Sequence, residues 1–369
     1  MSRRILLLVT DLEIGGTPSV VRELAVRLHD PPKVIVEVAC LAKWGPTADQ
    51  IEQGGVNVFA LGAKGPTDIG AIWRLNSLIE RNRYDTLFSF LIHANTATTA
   101  MKLLHSRLRV IQSIQTTQPE PRWHWMLQGW VQAAAERIVV PSESVKRAAI
   151  ERSNIDATKI VVIPNAIEPR EFVRSQTALD SSRPFPIGFI GRLDPIKQVL
   201  VLVREFAILA RQRDVVLYIY GEGVERKIIE QEIQTWSLAP KVLLHGAIAK
   251  PQAALQQIGM LVLPSAAEGF GLVLIEAMAA GVPVIANRAP GMWDVVRDGE
   301  NGLLVDVSVP GELAKAMREL IDDKEKRMDF IEEGLVAAQK QFSWQAVLPA
   351  YKELLGLCPF RQPQRGLGM

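Results

Sequence analysis

Cysteine, long apolar runs and unbalanced charge are the features that this sequence has least of. The 369 residues include two cysteines, Cys40 and Cys358, which suggests no disulfide framework and is typical of a reducing cytosol. The 42 basic and 40 acidic side chains leave a net charge of +2, without the strong basic footprint of a nucleic-acid-binding protein. No stretch approaches the roughly 18 consecutive apolar residues of a membrane-spanning helix. We therefore expect a cytoplasmic protein with no nucleic-acid partner.

Several cofactor and catalytic motifs are also missing. Gly15-Gly16 is not a full Gly-x-Gly-x-x-Gly fingerprint, and neither a Gly-Lys-Ser/Thr phosphate loop nor a Gly-x-Ser-x-Gly nucleophile elbow occurs. An Asp-x-Asp pair, which would hold a divalent cation on a diphosphate, is absent, and the five histidines show no metal-ligand spacing. We therefore expect neither a metal ion nor a bound cofactor.

Short apolar runs alternate with amphipathic stretches through the first half of the chain. Ile5–Val9 is too short for a signal peptide and predicts a strand buried on both faces of a parallel sheet. The apolar positions of Ser19–His29 fall on one face and predict a helix. Further strands are predicted over Val34–Ala39, Thr86–Phe90, Val110–Ile114, Arg137–Val140 and Lys159–Pro164. This alternation indicates a doubly wound α/β domain.

A polar stretch that ends in prolines, residues 169–186, interrupts the pattern and predicts a linker. The pattern then restarts, with strands predicted over Ile187–Ile190, Val215–Tyr220, Val242–His245, Met260–Leu263 and Val284–Ala286. We therefore predict two Rossmann-like domains, residues 1–168 and 187–341, which suits the chain length. A terminal segment, residues 342–358, contains a predicted helix around Trp344–Leu357.

The densest chemical signal lies between two of these strands, in a glycine-rich turn that leads into a helix. Gly269 and Gly271 allow the backbone to approach a ligand closely, and the helix that opens near Phe270–Val273 presents free N–H groups to a phosphate. Glu268 and Glu276 are eight residues apart, just over two helical turns, so both can face one cleft. A carboxylate is a natural acceptor for a pair of sugar hydroxyls.

An ordinary structural interpretation of the two glutamates is also open. Glu268 suits a helix N-terminus by its charge alone, and Glu276 could be a solvated helical residue. However, Glu276 is flanked by Leu274, Ile275 and Ala277, and an unpaired acid is costly in such surroundings. The pattern around Glu276 therefore favours a ligand or a partner.

Weaker signals follow three other strands. Arg192 and Lys197 stand at the carboxyl end of the first strand of the second half, where open α/β sheets bind ligands, but two such cations alone are often plain surface charge. Gly221-Glu222-Gly223 with Arg226 admits a structural or a functional interpretation equally. The same holds for His93.

The chain resembles the retaining glycosyltransferases of family 4, also called glycosyl transferases group 1, over nearly its whole length. The most specific part is the Glu-x7-Glu signature from Glu268 to Glu276. The other matching motifs, in chain order, are Gly15-Gly16, Ser142-Glu143-Ser144, Ile163-Pro164-Asn165, Gly191-Arg192-Leu193 with Lys197, Gly221-Glu222-Gly223 with Arg226, and His245-Gly246. The resemblance implies the GT-B fold: two Rossmann-like domains that face each other across a cleft, with the last helix crossing back to the first domain.

The resemblance also implies a role for each matching residue. Arg192 and Lys197 would bind the donor diphosphate and stabilise the leaving group. Glu276 would bind the nucleotide ribose, Glu268 the hydroxyls of the donor sugar, and His93 would lie near the anomeric centre. Further donor contacts would come from Gly15, Gly16, Gly221, Arg226, Ile248, Gly269, Phe270, Gly271 and Leu272.

The function implied is sugar transfer from a nucleotide-diphosphate donor to an acceptor with retention of anomeric configuration. Because Arg192, Lys197 and a helix N-terminus would meet the developing charge, no metal ion is expected. The acceptor would be a carbohydrate or a lipid-linked one, such as a growing polysaccharide or glycolipid of the cell envelope. Two alternatives remain: a GT-B phosphorylase or epimerase, and a non-catalytic carbohydrate-binding partner.

Four positions depart from the family pattern. Ala166 stands where glycine is usual, Ile196 where a polar residue is common, Met292 where a second glycine is frequent, and Asp294 where glutamate is common. None removes a principal charge, so we expect an active enzyme. The sequence does not predict the geometry of the loop that contains Met292.

The segment from Pro119 to Val131 contains Trp123, Trp125 and Trp130 and supports two interpretations. With Lys102, Arg107, Arg109 and Arg122 nearby it could make a weak peripheral contact with an anionic membrane at the inner face of the cell membrane. The alternative is that Leu127 and Trp130 belong to an ordinary helical core. Core stripes at helical spacing are commoner, so the core interpretation is favoured slightly.

Overall fold

Thirteen strands in two separate parallel sheets organise the part of the chain that the structure, a computed structural model, describes: residues 2–65, 68–118, 120–175, 184–248 and 250–357. The strands of the first sheet are β1 Arg3–Val9, β2 Val34–Cys40, β3 Val58–Ala60, β4 Thr86–Phe90, β5 Arg109–Ser113, β6 Arg137–Val140 and β7 Ile160–Val162. Those of the second are β8 Phe185–Ile190, β9 Val215–Tyr220, β10 Val242–Gly246, β11 Met260–Leu263, β12 Val284–Asn287 and β13 Leu303–Val305.

Helices connect the strands and cover both faces of each sheet. In the first half they are α1 Gly16–Leu28, α2 Pro46–Gln53, α3 Ile69–Asn82, α4 Ile92–Leu104, α5 Arg122–Val131 and α6 Glu143–Ser153. In the second half they are α7 Val199–Ala210, α8 Arg226–Thr235, α9 Gln252–Leu255, α10 Leu272–Ala279, α11 Glu312–Asp322, α12 Lys324–Lys340 and α13 Trp344–Leu354. The predicted pair of Rossmann-like α/β units is confirmed.

The strand orders place a topological switch point at the centre of each sheet. The first sheet runs β3-β2-β1-β4-β5-β6-β7 and the second β10-β9-β8-β11-β12-β13. In the first sheet, β1 to β3 lie on one side and the chain then crosses to β4, which starts the other side. In the second sheet, β8 to β10 lie on one side and β11 starts the other. Ligands of open α/β sheets bind at the carboxyl ends of such strands. The loops after β1, β4, β8 and β11 are therefore where function is expected.

The last helix returns to the first domain, as the resemblance implied. Trp344, Val347 and Tyr351 of α13 are buried in the core formed by β1, β2 and α1, and the ring centroids of Tyr351 and Phe88 are 6.4 Å apart. A β-bridge between Ile167 and Ser343 fixes the crossing point. Burial of these large rings stabilises the connection between the two halves of the molecule.

Several predicted boundaries differ from the structure. The second sheet begins inside the predicted linker, because the Phe185 N–H donates to Asp214 and the Phe185 ring is buried. The short strands β3 and β13 were not predicted, and each has only three residues. Residues 176–183 of the predicted linker lie outside the described residues, as does Cys358.

The interpretation of Trp130 as a core residue is wrong. Trp130 is 82% exposed and Met126 66%, whereas Trp125 is the buried tryptophan of α5. Two nearby cations are engaged within the chain: Lys102 donates to the Ser106 and Leu108 carbonyls, and Arg109 pairs with Glu136. In the part of the chain that is described, no helix combines the length and apolar character that crossing a membrane requires.

Candidate functional site

Lys197 and Glu268 meet at the switch point of the second sheet. Lys197 ends a short turn after β8, Glu268 follows β11, and the Lys197 Nζ lies 2.5 Å from the Glu268 Oε1. Both side chains are only 14% exposed. The Ser265 hydroxyl donates to the same carboxylate oxygen at 2.7 Å, so the pair is held in a fixed orientation. The structure thus brings together two residues that lie 71 positions apart in the sequence.

Glu276 reaches a cavity between the two domains from the second turn of α10. The cavity is lined from both halves of the chain, by residues that include Arg22, Glu168, Lys250, Leu272 and Trp344. No hydrogen bond joins the Glu276 carboxyl to any residue that the structure describes. Burial raises the pKa of this carboxyl to about 7. A carboxyl that reaches a cavity between two domains without a hydrogen-bond partner indicates a ligand-binding position.

The N-terminus of α10 opens beside these two carboxylates. Gly271 precedes the helix with φ +72, in the left-handed region that favours glycine. The first N–H groups of the helix, those of Leu272 and Val273, have no partner within the helix and carry its positive dipole end. The arrangement therefore provides N–H donors for an anion next to the Lys197 ammonium group.

The two arginines of the predicted site have carboxylate partners and are not in contact with the Lys197–Glu268 pair. Arg192 is 69% exposed, and its guanidinium lies 2.7 Å from Asp194. Arg226 pairs with Glu222 and, at 2.9 Å, with Glu230 on its own helix. Arg192 is therefore free to turn towards a ligand at little cost, whereas Arg226 is restrained from both sides.

The loops after β8 and β9 pack so closely that a side chain is excluded at Gly221. Its φ is +156, and a Cβ there would lie 1.8 Å from the Gly191 carbonyl oxygen. Gly15 differs, because its backbone is extended and its surroundings have ordinary room for a Cβ. The Phe270 ring is buried against Phe342, with ring centroids 5.7 Å apart, so that only its backbone can serve a ligand.

Ile248 follows β10 at the same edge of the second sheet. Its side chain is half-buried and packs against the core of this domain. The neighbouring Lys250 lines the cavity between the domains. The loop that carries Ile248 therefore borders the predicted donor site.

The first domain closes directly on the glycine-rich turn. Thr117 donates through its hydroxyl to the Glu268 carbonyl at 2.6 Å, and Ser142 donates to the Gly269 carbonyl at 3.0 Å. A Cβ on Gly269 would lie 2.1 Å from the Gln115 carbonyl oxygen, and one on Gly16 would contact the Leu272 side chain at 3.4 Å. Residues of the first domain thus contact the glycine-rich turn of the second domain directly.

A second set of contacts between the domains involves Asp294, one of the positions that depart from the family pattern. Asp294 accepts hydrogen bonds from the Ser144 hydroxyl and N–H, at the start of α6, and Trp293 donates to the same hydroxyl at 2.6 Å. Met292 is fully buried in the core of the second domain. Sequence reasoning missed Trp293 and Thr117, since neither belongs to a motif. The types of Trp293 and Asp294 do not indicate, from the sequence alone, that either residue contacts the first domain.

His93 lies in the first turn of α4, in the first domain. Leu91, the residue before this helix, has φ +73, a strained value for a non-glycine residue of the kind that clusters at functional sites. His93 lines a cavity of about 480 Å³ together with Thr10, Asp11 and His124, at the carboxyl ends of β1, β4 and β5. Burial, with a smaller contribution from the charge of His93, lowers the pKa of His124. Most of the residues that line this cavity carry polar groups, although most of its exposed surface is apolar, and those polar groups suit a ligand with several hydroxyl groups. We call it the polar cavity.

We expect Gly269→Ala to reduce activity by about a hundredfold, because the new methyl group forces the two domains apart at the reacting centre. The hydrogen bonds from Thr117 and Ser142 are lost with that contact. Activity and small-angle scattering measure the effect. Glu151→Ala is the control, since Glu151 is exposed on α6 and lines neither the cleft nor the cavities of the first domain. Equal activity of the two variants would show that the close approach at Gly269 is unimportant.

Within the described ranges, no group of three or more His, Cys, Asp and Glu side chains is arranged to hold a metal ion. The charges that meet at the switch point of the second sheet are those of Lys197, Glu268 and the α10 N-terminus. This set can bind a diphosphate and sugar hydroxyls.

Two family models match the chain, one in each half. The model described as Glycosyltransferase Family 4 matches residues 14–171, and the model described as Glycosyl transferases group 1 matches residues 170–336. Together they span both sheets and the turn from Glu268 to Glu276.

Similar proteins are known from several bacteria. The D-inositol 3-phosphate glycosyltransferase of Paenarthrobacter aurescens (strain TC1) is 30% identical over 255 residues, which cover 64% of this chain and 62% of that protein. The capsular polysaccharide biosynthesis glycosyltransferase CapM of Staphylococcus aureus is 28% identical over 225 residues, covering 58% of this chain and 59% of that protein. The chain thus spans less than two thirds of the length of either relative.

Solved structures confirm the predicted GT-B fold. Anabaena HepE, solved in complex with UDP and glucose, has a TM-score of 0.85 and 20% identity to this chain, covering 96% of this chain and all of that one. Sucrose-phosphate synthase from Thermosynechococcus elongatus has a TM-score of 0.81 and 19% identity, with 96% of this chain and 100% of that one covered. At these identities the likeness is one of fold.

Proposed function

This chain belongs to the family 4 glycosyltransferases of the GT-B fold, and we propose that it transfers a sugar from a nucleotide-diphosphate donor to a carbohydrate or lipid-linked acceptor. The transfer retains the anomeric configuration and needs no metal ion. The observation that carries the proposal is the Glu276 carboxyl, which has no partner among the described residues and reaches a cavity lined from both halves of the chain.

In this proposal the donor lies along the switch point of the second sheet. Glu276 accepts hydrogen bonds from the two ribose hydroxyls, and the diphosphate lies between Lys197 and the N-terminus of α10. Arg192 leaves Asp194 to bind the same phosphates, since its exposed ion pair is weak. Arg226, which is held by Glu222 and Glu230, acts at a distance by fixing the loop at Gly221.

Cleavage of the bond between sugar and diphosphate places negative charge on the leaving phosphate. Lys197, Arg192 and the helix N-terminus are oriented to stabilise that charge before the reaction begins. Glu268 loses part of its contact with Lys197 when phosphate binds and turns to a hydroxyl of the donor sugar. The acceptor hydroxyl approaches from the cavity of the first domain, with His93 near the anomeric carbon. Its oxygen bonds to that carbon as the bond to the diphosphate breaks, and its proton passes to the leaving phosphate oxygen.

The family and its relatives support the donor and acceptor classes that we propose. HepE is a neighbour in fold that was solved with UDP and glucose, so a UDP-hexose is the first donor to test. CapM belongs to capsular polysaccharide biosynthesis, and a growing polysaccharide or glycolipid of the cell envelope is a fitting acceptor here. We also propose that the exposed Trp123, Met126 and Trp130 make a weak contact with the inner face of the cell membrane.

The reaction is tested by NMR measurement of nucleotide release and of the product, with and without an acceptor and with EDTA present. The proposal predicts that release requires an added carbohydrate or lipid acceptor and that the product keeps the donor's anomeric configuration. Formation of an epimeric sugar without any acceptor would instead indicate an epimerase, and formation of a sugar 1-phosphate from a glycan and inorganic phosphate would indicate a phosphorylase. Co-sedimentation with anionic vesicles tests the membrane contact separately, and protein that stays in the supernatant would contradict it.

A further inference from the structure

A second, apolar cavity of about 630 Å³ lies in the first domain, on the other side of His93 from the polar one. It is lined mainly by aliphatic and aromatic side chains from α3, α4, α5 and the neighbouring loops: Leu41, Ile72, Ala97, Ala100, Trp123 and Leu127. We call this cavity the apolar groove. His93 lines both cavities, so the apolar groove begins where the proposed acceptor position ends.

Polar groups in the apolar groove are few and are engaged elsewhere. The Asp68 carboxylate accepts hydrogen bonds from the N–H groups of Lys64, Gly70 and Ala71, because it caps α3. The Thr96 hydroxyl donates to the Ile92 carbonyl of its own helix. The groove therefore offers a ligand little but apolar surface, while His93 and Thr96 mark its inner, polar end.

The apolar lining continues along two helices to the protein surface. Thr96, Ala100 and Leu103 recur on one face of α4, and Trp123, Leu127 and Trp130 recur on one face of α5, at spacings of three and four residues. The outermost members, Leu103 and Trp130, are 83% and 82% exposed. A continuous apolar track of this kind is uncommon on a monomer surface without a binding role.

We propose that the apolar groove holds the hydrocarbon chain of a lipid-linked acceptor while its sugar or phosphate head lies in the polar cavity beside His93. This inference rests on the proposed glycosyl transfer and narrows its acceptor class. The groove opens among exposed aromatic side chains, where a lipid anchored in a membrane would enter. Two exposed arginines lie on the segments that flank it: Arg107 follows α4, and Arg122, which pairs with Glu120, begins α5. A purely water-soluble oligosaccharide would have no use for this track.

Binding of methyl, butyl, hexyl and octyl β-glucosides, each below its micelle concentration, tests the inference by calorimetry. The expected result is an affinity that rises by about fourfold for each added methylene group until the groove is filled. Ala100→Trp fills the groove from α4 and is expected to remove this dependence on chain length. Ser77→Trp is the matched control, because it places the same ring in a different cavity beside β3.

The outcomes separate this inference from the proposed function. Affinities that do not rise with chain length, or that respond equally to Ala100→Trp and Ser77→Trp, would overturn the apolar groove as a chain site. Nucleotide binding at the cleft is measured in the same samples, and its complete absence would instead contradict the proposed transfer. If Ala100→Trp does not fold, Ala63→Trp blocks the groove from the opposite wall and gives the same comparison.

Discussion

Replacement of Lys197 by Gln should lower kcat by about a hundredfold to a thousandfold while KM for the donor changes far less. The Lys197 ammonium lies 2.5 Å from Glu268 and is the most enclosed cation that we assign to the diphosphate. Its charge matters most when the leaving phosphate becomes negative, so its loss raises the barrier more than it weakens the ground state. The amide of Gln keeps a hydrogen bond to the Glu268 carboxylate and so limits structural damage.

Steady-state rates with thermal unfolding of each variant measure this effect. Lys315→Gln is the matched control, because Lys315 is 63% exposed, makes only a loose pair with Glu312 and lies far along the chain from the site. Its kcat is expected to equal that of the native protein. A Lys197→Gln variant that folds and retains native kcat would refute electrostatic stabilisation by this residue.

Replacement of Glu276 by Gln should weaken donor binding by about a hundredfold. A charged acceptor that takes two ribose hydroxyls contributes about 1.5–3 kcal/mol for each hydrogen bond, and the amide recovers only part of that. Because the pKa of the Glu276 carboxyl is raised to about 7, native donor affinity should fall as the pH is lowered from 8 to about 6. Protonation turns the carboxylate into a poorer acceptor, which fixes the direction of the change.

Titration of a donor at several pH values checks both parts of this prediction. The Glu276→Gln variant should bind the donor weakly at every pH. The step in affinity, meaning its fall as the pH is lowered from 8 to about 6, should be absent in this variant. Glu151→Gln, on the exposed face of α6, is the control and should keep both the affinity and the step. A variant at Glu276 with native affinity would place the ribose elsewhere.

Much of the fold was predictable because each buried strand is a short continuous apolar run. Thr86–Phe90, Arg137–Val140, Val215–Tyr220 and Met260–Leu263 were predicted with the observed bounds. Flanking polar, glycine or proline residues mark both ends of the last three. Three-residue strands such as Leu303–Val305 carry no such pattern. The start of β8 was missed because Pro184 and Pro186 read as linker, although a proline is tolerated in the first residues of a strand.

The site was predictable where it lies within one motif and not where it joins two domains. The turn from Glu268 to Glu276 could be identified from glycines, helix onset and an isolated acid. The contact of Asp294 with Ser144 could not, because it depends on how the two sheets face each other. Trp130 was misplaced for a related reason: helical periodicity shows that one face of α5 is apolar but not which neighbour covers it.

Calorimetric binding of a panel of nucleotide-sugars, with EDTA present throughout, tests the central claim most directly. The account predicts saturable binding of one donor in the micromolar range, unchanged by EDTA and strongly reduced in the Glu276→Gln variant. Absence of binding by every donor, with the protein shown to be folded, would contradict the cleft site and would favour a non-catalytic member of the family.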